Sequence, residues 1–449
     1  MSIRLTSLGL CCVALFASPA ALAVDLVGVH DLALQNDPRL RAADYRRQAT
    51  GENKTQAWSN LLPQIGATGT WDRGNSEVSV SSQKISDEDT ATRNYGLTLQ
   101  QSLYRQANYE QLDVARGQMS QADAIYAIAF QDFLLRVSEG YFLVLTLTDG
   151  VTFAEAEEKA LQRQFEQAEQ RFEVGLTAVT DVHEARASYD NARARAIVAR
   201  NNLADAKEAL KELTGQYFEE YDALQEVLPL VEPDPMNSEE WVETSLANNP
   251  AVQSARAAVD IADSNVRLAR SGHYPTLDLT ASYSSFENSK YVIRDDFQQP
   301  IGTTSLGVDD TAVRLLLNIP IYQGGRVSSQ TRQARYLLDA TAQDLDDTQR
   351  AAVRETQNAF RAVLAGIQEV QAFEQAQISA ESALEATQAG FEVGTRTIVD
   401  VLIAEQRRFQ AQRDNSVARH AYIIRHLRLK SVAGLLTSED LQIVNQLLQ

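Results

Sequence analysis

Residues Tyr274-Pro275-Thr276-Leu277-Asp278-Leu279-Thr280-Ala281-Ser282-Tyr283 decide how the rest of the chain is read. After Pro275, apolar Leu277, Leu279, Ala281 and Tyr283 alternate with polar Asp278, Thr280 and Ser282, the period of a strand with one apolar and one wetted face. The alternation also follows Pro63, at Ile65, Ala67, Gly69 and Trp71, and returns at Tyr95, Leu97 and Leu99 and at Val313, Leu315, Leu317 and Ile319. Leu316 breaks it. Strands are therefore expected near 64–71, 94–103, 276–285 and 312–321. Lipid outside and water inside would produce this pattern; so would a soluble sandwich with one face in solvent. Trp71, Tyr95 and Tyr283, near strand ends, suit the girdles of a membrane interface. Segments 72–93 and 286–311 are long and polar and read as external loops.

Outward from the strands, the chain repeats itself. Asn36-Asp37-Pro38 answers Asn248-Asn249-Pro250, and Leu62-Pro63 answers Tyr274-Pro275, both 212 residues apart. Leu103-Tyr104 answers Ile321-Tyr322 at 218, and Phe172-Glu173-Val174-Gly175 answers Phe391-Glu392-Val393-Gly394 at 219. Four landmarks in one order indicate a duplicated architecture. The first repeat covers 24–228, a proline-rich linker 229–237, and the second repeat 238–449.

Proline is absent from 64–228 and from 321–449, which permits very long helices there, since one interior proline costs a helix about 3 kcal/mol. Segments 107–172 and 326–391 are 66 residues each, roughly 99 Å if wholly helical. Segments 38–61 and 180–213 together would span about 87 Å, so two shorter helices end to end could match one long helix. Asp37 and Asn249 are expected to cap the helices that start at Pro38 and Pro250. Leu161, Phe165, Ala168 and Phe172 recur at steps of four, three and four, the seam of a coiled coil or of an ordinary helix pair.

Arg4, the apolar run from Leu8 to Phe16 and Ala21-Leu22-Ala23 read as a secretory signal over 1–23. Both cysteines, Cys11 and Cys12, lie within it, so the mature chain would carry no disulfide and no Cys-based metal site. Lys+Arg 41 against Asp+Glu 60 gives a net charge of −19, which excludes a phosphate-backbone partner: no nucleic acid. The five histidines form no His-x-x-x-His pair, and neither Gly-x-Ser-x-Gly nor a phosphate-binding glycine loop occurs, so no enzyme, metal or cofactor is expected.

Four strands cannot close a barrel, and unpaired N–H and C=O groups are intolerable in lipid. Several chains must then share one wall. Three chains would supply twelve strands and a diameter of roughly 24 Å. Their twelve helical rows at about 9 Å spacing would form a ring of roughly 34 Å. The expected fold is mainly α with a transmembrane β portion: duplicated strand-hairpin and long-helix-hairpin halves, three copies making a 12-stranded β-barrel continuous with an α-helical barrel, which the resemblance described next makes periplasmic.

The chain resembles the TolC family of outer-membrane efflux and secretion proteins. The resemblance lies in Gly272-His273-Tyr274-Pro275-Thr276-Leu277-Asp278-Leu279-Thr280-Ala281-Ser282, Pro320-Ile321-Tyr322-Gln323-Gly324-Gly325, Val174-Gly175-Leu176 with Thr180-Asp181-Val182, and Val393-Gly394-Thr395-Arg396-Thr397-Ile398-Val399-Asp400-Val401. It implies a homotrimeric exit duct of the cell outer membrane, with a long periplasmic extension. This duct would serve drug efflux and type I secretion, with a periplasmic adaptor (membrane fusion protein) and an inner-membrane pump or ABC transporter as partners. A stand-alone diffusion porin is the alternative, although it would not need 66-residue helices.

The two helix-to-helix turns carry the implied site. Gly175 and Gly394 suit a helix end that needs positive φ, and Thr180 or Asp181 could cap the following helix. The resemblance further implies a gate in which Arg396 links to Thr180 and Asp181, and an adaptor-docking tip formed by Val174, Gly175 and Leu176 with Val393, Gly394 and Thr395. Phe391 stands where relatives carry a tyrosine that also bonds the gate aspartate, and Ile403 where many carry a second acidic ring. Asp400 is left as the constricting carboxylate.

Overall fold

The computed structural model describes residues 23–80, 83–294 and 300–449. The expected signal over 1–23, with Cys11 and Cys12, lies outside the described residues except for Ala23. The elements run α1 (Leu26–Asn36), α2 (Pro38–Ser59), β1 (Gln64–Val80), β2 (Gln83–Arg105), α3 (Gln106–Glu173), α4 (Val179–Thr214), α5 (Ser238–Asn248) and α6 (Pro250–Arg270). A 3-10 turn (Ser271–His273) then leads to β3 (Thr276–Arg294), β4 (Pro300–Asn318), α7 (Arg326–Glu392), α8 (Ile398–Val432) and α9 (Ser438–Asn445). The order α2-β1-β2-α3-α4 is thus repeated as α6-β3-β4-α7-α8. No described helix is long and apolar enough to cross a membrane.

The proline-free stretches are helices of 68 and 67 residues, α3 and α7. Asn249 caps α6 by accepting the N–H groups of Ala251 and Val252 at 2.8 and 3.4 Å. Asp37 accepts the Arg39 N–H at 2.7 Å, and its other oxygen binds Arg136 at 2.5 Å.

The chain divides into two compact units, each drawing on both repeats. One holds the described residues up to Leu40, Phe130–Val242 and Glu355–Gln449; the other holds those of Arg41–Ala129 and Glu243–Arg354. In the first, Phe133, Leu134, Val137, Tyr141 and Phe142 of α3 are buried. The Tyr141 hydroxyl reaches the carbonyls of Val24 and Asp222 at 3.2 and 2.8 Å, which fastens the segment before α1 to this core.

The second unit contains one antiparallel sheet in the order β1-β2-β3-β4. Ile65 pairs with Leu99, Leu99 with Ala281 and Ala281 with Val313, so the apolar positions of all four strands line up in one row across the sheet. That face is bare in the single chain: Ile65, Trp71 and Val313 are each about three-quarters exposed. On the other face Asp278 accepts from the Ser102 hydroxyl at 2.9 Å and from Arg105 at 2.8 Å. Beside the sheet, α3 and α6 approach closely at Gly117, where an added Cβ would meet Ile261 Cγ1 at 2.7 Å. Arg267 of α6 binds Glu110 of α3 at 2.9 Å.

The strands are longer than their apolar alternation indicates. The segments expected as loops, 72–93 and 286–311, continue the ladder: Asp72 pairs with Thr92, Gly74 with Thr90 and Phe286 with Val308. Main-chain hydrogen bonds do not depend on side-chain polarity, so a hairpin continues where the apolar alternation ends. At the other end β4 stops at Asn318, short of Pro320, which has no N–H to give a ladder.

Candidate functional site: the two helix-to-helix turns

Both turns close their first helix in the same way. At the end of α3, Gly175 has φ 75°, its N–H donates to the Phe172 carbonyl at 2.9 Å, and the Leu176 N–H donates to the Arg171 carbonyl at 2.8 Å. At the end of α7, Gly394 has φ 79°, its N–H donates to Phe391 at 3.1 Å, and the Thr395 N–H donates to Gly390 at 2.8 Å. This pair of bonds is the Schellman motif, and its left-handed residue favours glycine. Val174, Leu176 and Val393 are left 69, 76 and 76% exposed around the two glycines.

The second helix of each hairpin starts differently. Helix α8 opens on Thr397, whose hydroxyl accepts the Asp400 N–H at 3.3 Å while Asp400 accepts the Thr397 N–H and hydroxyl, each at 2.9 Å. Those two bonds hold the Asp400 carboxyl below the usual carboxylate range, and the charge of Arg396 adds to the effect. Helix α4 opens on Ala178, which has no side chain to cap it. The expectation that Thr180 or Asp181 caps α4 is thereby corrected: both lie inside its first turn, because the chain turns helical at Val179. Asp181 instead accepts the hydroxyl of Thr177.

The implied link from Arg396 to Thr180 and Asp181 is not made within one chain: among the described residues no hydrogen bond or ion pair joins them. The Arg396 side chain lies against Gly390, where an added Cβ would meet its Cγ at 2.8 Å. Beside the turns, an apolar cluster joins the two hairpins within the chain. Leu161 and Ala168 of α3, Ala185 and Ala192 of α4, and Ile398 and Leu402 of α8 form one buried cluster, against which Phe391 packs. Three of the four seam residues thus lie inward, and Phe172 at its end remains 44% exposed. The Arg171 guanidinium sits over the Phe391 ring at 4.8 Å, so the ring takes a cation on its face where a tyrosine could have offered a hydroxyl.

Farther along the helices, Glu157 of α3 has a side chain only 1% exposed and binds Arg195 of α4 at 2.6 Å and Arg413 of α8 at 3.1 Å. One carboxylate ties three helices together. Glu405, five residues after Asp400, is also buried; its burial raises its pKa, while Arg408 at 3.4 Å and Arg163 oppose the shift. Sequence reasoning missed Arg171, Glu157 and Glu405. The partners of Glu157 lie 38 and 256 residues away, so no local spacing marks them, and charged residues on long helices are by default solvated. The turns offer conformational stops, an exposed apolar tip and carboxylates, but no nucleophile–base pair. Among the described residues no cluster of His, Cys, Asp and Glu could hold a metal ion.

The model of the family described as "Outer membrane efflux protein" matches residues 29–216 and 241–435, which include both turns. Outer membrane protein TolC of Vibrio cholerae is 37% identical over 428 residues, covering 95% of this chain and 94% of that protein. The alkaline protease secretion protein AprF of Pseudomonas aeruginosa is 29% identical over 437 residues, 94% of this chain and 87% of its own. The crystal structure of the outer membrane protein VceC of Vibrio cholerae superposes with a TM-score of 0.74 at 21% identity, covering 91% of this chain and 96% of VceC.

Proposed function

Because the chain belongs to the outer membrane efflux protein family, we propose that three copies of it form a closed exit duct through the outer membrane, which serves tripartite drug efflux and type I protein secretion. The observation that carries this reading is the sheet. It has four strands in a row, two outer edges and an apolar face exposed in the single chain. In lipid the edges of β1 and β4 need partners, and sister copies supply them by joining β4 of one chain to β1 of the next. Twelve strands are the smallest multiple of four that leaves a usable lumen, since eight are filled by their own side chains.

The turns serve as the periplasmic gate. Arg396 does not reach Thr180 or Asp181 in its own chain, so the latch we assign runs from Arg396 of one copy to Thr180 and Asp181 of its neighbour. Asp400 lines the constriction. Val174, Gly175 and Leu176, with Val393, Gly394 and Thr395, form the surface on which the tip of a periplasmic adaptor docks. The inner-membrane pump or ABC transporter selects the cargo. AprF, named for protease secretion, and TolC, named for the outer membrane, are both similar along nearly the whole chain, which supports one duct for both tasks.

The test is to purify the protein from outer membranes in mild detergent, measure its protein mass by light scattering and record it in planar bilayers. Three times the chain mass and a narrow, mostly closed pore that widens in Arg396→Ala are expected. A monomer, or a pore whose conductance Arg396→Ala leaves unchanged, would defeat the trimer and the latch respectively.

A further inference from the structure

The 229–237 segment, Trp241, the second half of α8 and the chain from α9 onward line a half-open cavity that the channel reading does not use. It holds about 460 Å3, within the range of sites that take drug-sized molecules. Trp241, Tyr422, Ile423, Leu427, Val444 and Leu447 contribute to its apolar wall. The polar groups of that wall are already bonded to protein. The Trp241 indole N–H donates to the Pro235 carbonyl at 2.8 Å, and the Tyr422 hydroxyl accepts the Val231 N–H at 2.8 Å and donates to its carbonyl at 2.9 Å. His426 Nε2 donates to that same carbonyl at 3.0 Å, and Lys430 is bound to Asp440 at 2.5 Å. Away from its rim, an entering molecule would therefore meet aromatic and aliphatic groups whose polar atoms are already bonded to protein.

Two carboxylates of the lining, Glu232 and Asp234, are exposed, and neither makes a hydrogen bond or ion pair among the described residues. The one lysine of the lining is held by Asp440, so it does not neutralise them. The cavity thus combines an apolar interior with a net negative rim, and its two large aromatic rings add a preference for positive charge. An anionic amphiphile would fit the interior and be repelled at the rim, and a neutral one would gain nothing there.

We propose that this cavity binds a lipophilic organic cation, its apolar body against Trp241 and Tyr422 and its charge at Glu232 and Asp234. The 449-residue chain carries three tryptophans, so replacing Trp58 and Trp71 by phenylalanine leaves Trp241 as its indole reporter. The detergent-purified protein is titrated with tetraphenylphosphonium and with tetraphenylborate, which share a shape and differ in charge. Saturable quenching of Trp241 by the cation is expected, with affinity at least tenfold lower for the borate. Glu232→Gln/Asp234→Asn should weaken the cation at least tenfold. Ile443→Phe, which enlarges an exposed side chain of the lining, should abolish saturation. Circular dichroism and the unfolding temperature check that both variants keep the fold. Quenching that rises without saturating, equal affinity for both ions, or a cation affinity untouched by the rim variant would each overturn the proposal. Channel conductance in planar bilayers, expected unchanged by the rim variant, keeps this outcome separate from that of the duct.

Discussion

The two helix-to-helix turns are copies that have diverged at one decisive position. At the offset of 219 residues that relates Phe172 to Phe391, Gly175 matches Gly394 and Asp181 matches Asp400, but Ala178 matches Thr397. The glycine stop is the same in both turns. The helix start is not: Thr397 and Asp400 bond one another reciprocally, whereas Ala178 offers no side-chain bond and Asp181 falls to Thr177. One side chain therefore separates a braced turn from a looser one, and α4 is the helix whose first turn opens more readily.

The largest effect is expected where both hairpins depend on one group. Glu157→Ala removes two charge-assisted bonds, and since Arg195 and Arg413 can regain water, a loss of about 2–3 kcal/mol is expected in urea unfolding. Hydrogen exchange should speed up in α4 and α8 together; faster exchange in only one of them would show that Glu157 does not couple the hairpins.

Next come the caps. Thr397→Ala should cost about 1 kcal/mol and speed exchange in the first turn of α8, while Ala178→Thr should stabilise α4 by about 0.5–1 kcal/mol. If Ala178→Thr leaves the exchange of α4 unchanged, the contrast between the turns does not come from the cap. Smaller again is the contact of Arg171 with Phe391. Arg171→Leu combined with Phe391→Leu in a double-mutant cycle should give a coupling of about 0.5–1 kcal/mol, and a coupling near zero would reduce Phe391 to packing alone.

The smallest effect at neutral pH lies within α8, where two carboxyls shift in opposite directions. The pKa of Glu405 is raised above its ordinary 4.5, so its protonated form favours the fold and stability falls as pH rises through the folded value. That of Asp400 is lowered below its ordinary 3.8, so its contribution is present above that value and is lost as pH falls through the folded one. Glu405→Gln should raise the melting temperature at pH 7 and lose that advantage near pH 4. An advantage that persists at pH 4 would mean that burial of the charge is not the cause.

Much of this architecture is legible in the sequence because its signals are local. Absent prolines permitted α3 and α7, an Asn-Pro pair marked the start of α6, and Gly175 and Gly394 marked the turns. The extent of the strands was not legible: beyond Trp71 the apolar alternation fades, while the hydrogen-bond ladder, which needs no side chain, continues. The start of α4 was misplaced because Thr180 and Asp181 have capping chemistry and Ala178 does not, yet the backbone enters the helix before them. Glu157 was invisible because its partners meet it only through the fold.

The mismatch between Ala178 and Thr397 also bears on symmetry. Three copies in a ring would present six tips of two alternating kinds, so a collar of six identical adaptor units could not meet six identical footholds. Every second unit would seat on the stiffer tip and its neighbours on the softer one. Such a collar would engage in two stages even though all its members have the same sequence.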